Sequence, residues 1–352
     1  MAKETSYLLS EKEEWIAVDY FKVVCALLIV SIHYPVFASI DVGFSHYFNH
    51  VICRLAVPFF FISSGFFAAG KIDGKGIYKY LKHVVLLYIV YNILYIPQSF
   101  YRVDLGMVDK QFLIDTVKQF ILVGGYMHLW YLIALVFAIA ALKLMVSKLR
   151  LNDKALIGIV VLLYFIGVLG NSYKDLLMGL GFEWIEQYYK IFVTTRNGLF
   201  FGTPFVTAGY LIKKNSYRIK NIGYLKWSIV FLILMFAEAG IVCSHHNSGE
   251  KDMMFFTMPA AICVFLTACF IVQNKEKRAD LGKKCREISV MLFGLHILIH
   301  FYLNRYMIEN GYYMIEHTGI RYIIVVVTTL IVGIAIIELS KRRAFKWMKI
   351  LY

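Results

Sequence analysis

The sequence predicts an all-α, polytopic transmembrane bundle of about ten spans with both termini cytoplasmic. Three observations predict it: an excess of apolar residues, their clustering into runs of span length, and an alternation of basic loops. Hydrophobic residues make up 60% of the 352 and charged residues 17%. A soluble globular chain carries about 45–50% apolar and about 25% charged residues. Mean hydropathy is +0.65. Runs such as 27–32, 134–142, 157–168 and 323–337 are nearly unbroken. A spanning helix needs about 20 mostly apolar residues, because it rises about 1.5 Å per residue across roughly 30 Å of hydrocarbon.

Hydrophobic windows put the spans near 15–38, 48–69, 78–99, 128–146, 155–171, 196–212, 224–243, 254–273, 287–304 and 320–339. Two amphipathic stretches, 109–123 and 176–193, are too polar to span and are expected at the interface. The chain therefore reads as one membrane domain over 1–352, with an N-terminal segment 1–14, a bundle 15–339 and a basic tail 340–352. The segment 1–14 carries charge of both signs and lacks a small-residue cleavage site, so no cleavable signal is expected.

The net charge of +14 is distributed as an orientation signal. Basic residues concentrate at Lys71, Lys75 and Lys79, at Lys148, Arg150 and Lys154, and at Lys213, Lys214, Arg218 and Lys220. The series continues at Lys275, Lys277, Arg278, Lys283 and Lys284, and in the tail from Lys341 to Lys349. The opposite loops hold only Arg102, Lys110, Lys118, Lys174, Lys190, Lys251 and Arg305. By the positive-inside rule the dense set is cytoplasmic, which implies a bacterial cytoplasmic membrane and no nucleic-acid partner. The six cysteines lie mostly in apolar runs and suggest neither a disulfide framework nor a metal site.

Ionisable groups inside spans are costly and mark function by default. The first span, DYFKVVCALLIVSIHY, offers Asp19, Lys22 and His33. Lys22 and His33 return to within about 20° of one helix face and stand about 16 Å apart along it. Asp19, three residues before Lys22, can pair with it. Lys22 also reads as a snorkelling lysine, and His33 as an interhelical hydrogen-bonding group. The second span reads CRLAVPFFFISSGFF. Pro58 breaks its ladder near Arg54, while Ser63, Ser64 and Gly65 permit close backbone approach. Arg54 at that depth requires an interior or wet cavity. His128 and Trp130 open the fourth span, where Trp130 reads first as an interface anchor. Arg196 and Asn197 open the sixth. Glu238 lies past the middle of the seventh, where it can neutralise an arginine, and His296 and His300 lie in the ninth.

The pairing of a basic residue with a histidine eleven positions on, Lys22 and His33, resembles a signature of the acyltransferase-3 family. Arg54, Pro58, Phe60, Phe61, Ser64 and Gly65 match its second-span pattern. HLWYL from His128, RNGLFFGTPF from Arg196, and Ser289 with His296 follow in the expected order. The resemblance covers about residues 15–339. The segment RLAVPFFFISSGFF also resembles the membrane half of vancomycin-resistance serine racemases, whose soluble racemase half is expected to be absent here, as is an esterase-like domain. Lys22 stands where arginine is commoner, and Phe66 where tyrosine often follows Ser-Gly.

The resemblance implies a membrane O-acyltransferase. Such an enzyme moves an acyl group, acetyl from acetyl-CoA, to a hydroxyl of an extracytoplasmic cell-surface or lipid-linked glycan. Catalysis would fall to His33 and Arg54. Donor and acceptor binding would fall to Asp19, Lys22, Ser63, Ser64, Gly65, His128, Trp130, Arg196, Asn197, Glu238 and His296, with no metal. A transporter of a small polar substrate such as an amino acid, and a non-catalytic receptor or scaffold for glycan assembly, are the alternatives.

Overall fold

A computed structural model describes residues 15–100, 110–126, 128–245, 251–271, 279–311 and 317–352. The segment 1–14 lies outside these residues, as do Arg102, Lys275, Lys277 and Arg278 and the side chains of Lys110 and Cys243. The described residues form helices and no strand. In chain order these begin with α1 (Ile16–His33), α2 (Val42–Lys71), α3 (Gly76–Phe100) and α4 (Lys110–Leu122). Next come α5 (Trp130–Lys148), α6 (Asp153–Gly170), α7 (Lys174–Gly179), α8 (Trp184–Phe192) and α9 (Thr203–Lys214). The rest are α10 (Tyr224–His245), α11 (Thr257–Phe270), α12 (Ala279–Glu309) and α13 (Thr318–Leu339).

Eight of these, α1, α2, α3, α5, α6, α10, α12 and α13, are long and apolar enough to cross a membrane. The regions expected as the sixth and eighth spans are shorter. The sixth comprises a π-helical turn (Gly198–Gly202) and α9, because the Asn197 side chain caps the turn by accepting from the Leu199 and Phe200 N–H groups. The eighth, α11, has 14 residues. It starts late because non-helical residues before it are tied down by side chains of other helices. The protein is thus an all-α, multi-pass membrane protein. Outward faces stay apolar, with Ile331 64%, Ile233 61% and Val161 54% exposed, as a lipid-facing surface requires.

The largest interhelical interfaces are α2 on α9, α1 on α12, α10 on α11 and α12 on α13. The α2–α9 crossing depends on two glycines. A Cβ on Gly65 would lie 1.9 Å from the Val206 carbonyl oxygen, and one on Gly209 would lie 1.9 Å from that of Ile62. The absent side chains let the two backbones touch.

Helix α2 is irregular where chemistry is expected. Asp41 caps its first turn, then Phe48–Ile52 widens to π geometry and Cys53–Leu55 tightens to 3₁₀ before regular α-helix resumes at Ala56. Pro58 has no N–H to offer the carbonyl of Arg54, so the ladder cannot run straight through. The amphipathic stretches form α4, α7 and α8 with exposed apolar side chains such as Val117 and Trp184. The Lys118 ammonium of α4 donates to the Lys190 carbonyl of α8 and links two of them. The basic tail is docked. Its 3₁₀ segment Arg343–Leu351 buries Leu351, whose carbonyl accepts from the Tyr91 hydroxyl at 3.0 Å.

Gly209→Ala is expected to destabilise the bundle by about 1–3 kcal/mol, the usual cost of overpacking. Thermal unfolding in detergent, against Gly158→Ala, where a Cβ meets nothing within 4 Å, checks it.

Candidate active site

Two internal hollows meet in the middle of the bundle. The larger, a cleft of about 320 Å³, has Lys22 and the half-exposed Arg286 among its polar walls, together with Ser63, Ser64 and Ser289. The smaller, a cavity of about 50 Å³, is lined by His33, Arg54, His128, Trp130, Arg196 and Asp252. Ile29, Val57, Tyr131 and Phe293 line both. Seven residues separate Lys22 from Ile29, and four more reach His33, so one face of α1 serves the cleft, the shared wall and the cavity in turn.

The cleft end is organised by a buried carboxylate. Asp19 pairs with Lys22 at 3.1 Å and with Arg286 of α12 at 2.5 Å. The Ser64 hydroxyl lies 3.2 Å from that of Tyr131. Gly65, expected beside Ser63 and Ser64 at the donor notch, faces Val206 and does not line the cleft.

In the cavity three imidazoles converge. Ring centroids of His33 and His296 are 5.3 Å apart, those of His128 and His296 5.2 Å, and those of His33 and His128 6.3 Å. They arrive from the last residue of α1, the loop before α5, and α12. That loop reverses at Gly124, whose φ of +98° and close approach to Trp130 only glycine accommodates. His296 approaches the Leu292 and Phe293 carbonyls through Nδ1, at 2.8 and 3.0 Å, so Nδ1 carries the proton. Its Nε2 is then a lone-pair acceptor, buried without a hydrogen-bond partner among the described residues. Neither ring nitrogen of the buried His128 makes a well-formed hydrogen bond among them either. Buried polar atoms left open in this way mark where a ligand or water belongs. No group of His, Cys, Asp or Glu among the described residues has the arrangement to hold a metal ion.

Opposite the imidazoles stands an ion triad. Asp252 bridges Arg54 and Arg196, each at 2.5 Å. Burial opposes ionisation of Asp252, but the two guanidinium groups outweigh it and hold its carboxyl below the ordinary carboxylate range. The Arg196 guanidinium also lies 4.8 Å from the Trp130 ring centre, a cation–π contact. Trp130, expected first as an interface anchor, is a buried wall of the cavity.

The segment carrying Asp252 is fixed from three sides. Asn171 Oδ1 accepts from the Asp252 and Met253 N–H groups at 2.8 and 3.0 Å, and the Tyr164 hydroxyl donates to the Met254 carbonyl at 2.8 Å. Glu238 accepts from the Phe255 and Phe256 N–H groups and from the Tyr173 hydroxyl. Glu238, expected as a partner for an arginine, therefore anchors the strap that brings Asp252 to both arginines. Asn197 is likewise a cap, bound to backbone and to the Tyr188 hydroxyl, and does not line the cavity. His300 pairs with Asn304 and packs on Tyr34, outside the cavity wall.

The sequence patterns do not single out Asp252, Arg286, Tyr131 or Phe293. Asp252 was findable: two arginines at membrane depth demand a carboxylate, and Asp252 lies two residues before the expected eighth span.

Residues 15–338 match the family model described as an acyltransferase domain, with the signature residues Lys22, His33 and Arg54 inside the match. The chain belongs to the acyltransferase-3 family. It is 31% identical over 267 residues to an amino-acid racemase of Enterococcus faecalis, an alignment covering 73% of this chain and 36% of that protein. A second amino-acid racemase of the same organism is 23% identical over 352 residues, covering 95% of this chain and 47% of the relative. A serine/alanine racemase of Enterococcus gallinarum is 24% identical over 342 residues, covering 94% and 47%. The chain thus spans less than half the length of these curated relatives. No solved structure matches it.

Asp252→Asn removes the carboxylate charge that Arg54 and Arg196 share, and is expected to cost about 3–5 kcal/mol. The depressed carboxyl pKa means that this stabilisation is present above the ordinary carboxylate pKa and is lost as pH falls through the lower folded value. Unfolding temperatures of wild type and variant should therefore differ at neutral pH and converge in acid. A constant difference would mean that the carboxylate charge is not the cause.

Proposed function

We propose that the protein transfers an acyl group, with acetyl-CoA as donor, through the membrane to a hydroxyl of an extracytoplasmic glycan or lipid-linked glycan. The ten-span, cytoplasmic-termini topology is part of this reading. The observation that carries it is the meeting of a basic-mouthed cleft and a histidine-lined cavity at one shared wall, with His33 just beyond that wall. Basic loops mark the Lys22 end as cytoplasmic. The donor enters there, Lys22 and Arg286 attract its phosphates, and its thioester reaches the shared wall past Ser63 and Ser64. The acceptor hydroxyl enters the cavity from the other side.

His33 then takes the proton of the acceptor hydroxyl while its oxygen bonds to the thioester carbonyl carbon. The guanidinium of Arg54 stabilises the oxygen that gains charge. The carbon–sulfur bond breaks, and the leaving thiolate takes the proton back from His33, so protons and charge balance. Nδ1 protonation leaves His296 Nε2 as an acceptor for the second imidazole's N–H or for an ordered water. Arg196 and His128 line the acceptor's approach. An alternative in which His33 is transiently acylated uses the same groups.

Transport of a small zwitterion, such as an amino acid, is a second reading. It is favoured by the amino-acid racemase names of the relatives and by a cavity that offers two guanidinium groups and a carboxylate.

Binding of acetyl-CoA to detergent-purified protein separates the two. Wild type should bind saturably, Lys22→Ala about tenfold more weakly, as one lost charged hydrogen bond implies. His33→Ala should bind as wild type does yet lose turnover by about 10²–10⁴-fold. Absence of acetyl-CoA binding by folded wild type, with serine uptake into proteoliposomes, would move the transporter to first place.

A further inference from the structure

A third hollow, of about 540 Å³, opens at the Lys22 end of the bundle between α12, α13 and the docked tail. It shares Arg286 and Val290 with the cleft, so the two adjoin at these side chains. Lys283, Lys284, Arg286, Lys341 and Lys349 line it, against three carboxylates, Asp280, Glu287 and Glu338. The hollow is therefore net positive. Lys284 pairs with Asp280 at 3.0 Å and Lys341 with Glu338 at 2.6 Å, while Lys283 is 3.9 Å from Glu287. These lysines are more than half exposed, and exposed pairs of this kind contribute little, so an incoming phosphate can replace the carboxylates at small cost. Lys349 enters no ion pair among the described residues. It is held at the hollow because the tail is fixed by the Tyr91 contact to Leu351 and by the Tyr352 hydroxyl, 2.5 Å from that of Ser340. Tyr352 adds an aromatic ring to the wall.

We infer that this hollow seats the 3′-phosphoadenosine diphosphate end of coenzyme A, with the pantetheine arm passing Arg286 into the cleft. The inference rests on the acyltransferase reading and assigns its donor a site made by α12, α13 and the tail. The charges fit the ligand part by part. Three phosphate groups require several cations, whereas the pantetheine arm is nearly uncharged and the cleft beyond Arg286 is mostly apolar. A lipid phosphate could use the same lysines. A neighbouring cleft that itself adjoins the imidazole cavity is what a lipid headgroup does not need and an acyl carrier does.

The test titrates purified protein in phosphatidylcholine nanodiscs with coenzyme A, 3′-dephospho-coenzyme A and 4′-phosphopantetheine. Coenzyme A should bind tightest, and removal of the 3′-phosphate should weaken binding about tenfold. Lys349→Ala and Lys284→Ala, both at exposed positions whose loss should leave the unfolding temperature unchanged, should each weaken coenzyme A several-fold and leave 4′-phosphopantetheine unaffected. If wild type binds all three ligands alike, or the variants weaken all three alike, the nucleotide does not sit in the hollow, although the donor reading survives. If folded wild type binds none of them, the acyltransferase reading itself fails. Phosphatidylglycerol retained in native mass spectra only when Lys349 is present, with coenzyme A affinity independent of Lys349, would make the hollow a lipid site and overturn the inference.

Discussion

The site depends on one buried carboxylate held between two guanidinium groups. Arg54 arrives on α2 and Arg196 in the loop before α9, and neither charge is tolerable at that depth alone. Asp252 pairs with both through its two oxygens, and that requirement explains features far from it. The segment before α11 is not helical because Asn171, Tyr164 and Glu238 bind its backbone and point Asp252 inward. The same ties shorten α11 below the length of its neighbours. Irregular backbone is tolerated at this position because buried side chains satisfy its polar groups, which lipid cannot do.

The pattern repeats at the other end with a different balance. Asp19, nearly inaccessible, holds Lys22 and Arg286, and Arg286 remains half exposed at the meeting of two hollows. One carboxylate again serves two cations. A fully buried cation pair would be expensive and inert, whereas a half-exposed one keeps donors available to an anion. The two ends thus differ in use: the Asp252 triad fixes the wall of a cavity, and the Asp19 triad keeps a mouth basic.

Much of this was legible in the sequence, and the limits have physical causes. The apolar runs carry the all-α, multi-pass class, because hydropathy is a property of each segment alone. The shared face of Lys22 and His33 was readable because helical period is local. Convergence of three histidines was not readable. His128 and His296 meet His33 only through the packing of α12 on α1 and the turn at Gly124, which no single-segment pattern encodes. Glu238 differs for the same reason: its place inside a span marks it as a charge partner, but its carboxylate accepts from the Phe255 and Phe256 N–H groups at the start of the next helix. Gly65 next to Ser63 and Ser64 looked like part of a ligand notch. Its missing side chain instead serves Val206 across the α2–α9 contact.

The two hollows also constrain what passes between them. Ile29, Val57, Tyr131 and Phe293 line both the cleft of about 320 Å³ and the cavity of about 50 Å³. The Phe293 ring packs against both Tyr131 and His128, with centroids 5.6 Å from each. A group crossing this wall must be small, because the cavity beyond offers room for only a few heavy atoms. It must also displace no charge, because the wall is apolar while the arginines lie behind it. A neutral two-carbon acyl group meets both conditions; a nucleotide meets neither, and a small ion fails the second. In the proposed transfer, an apolar wall between a basic mouth and a charged cavity is the place where the acyl group alone would pass.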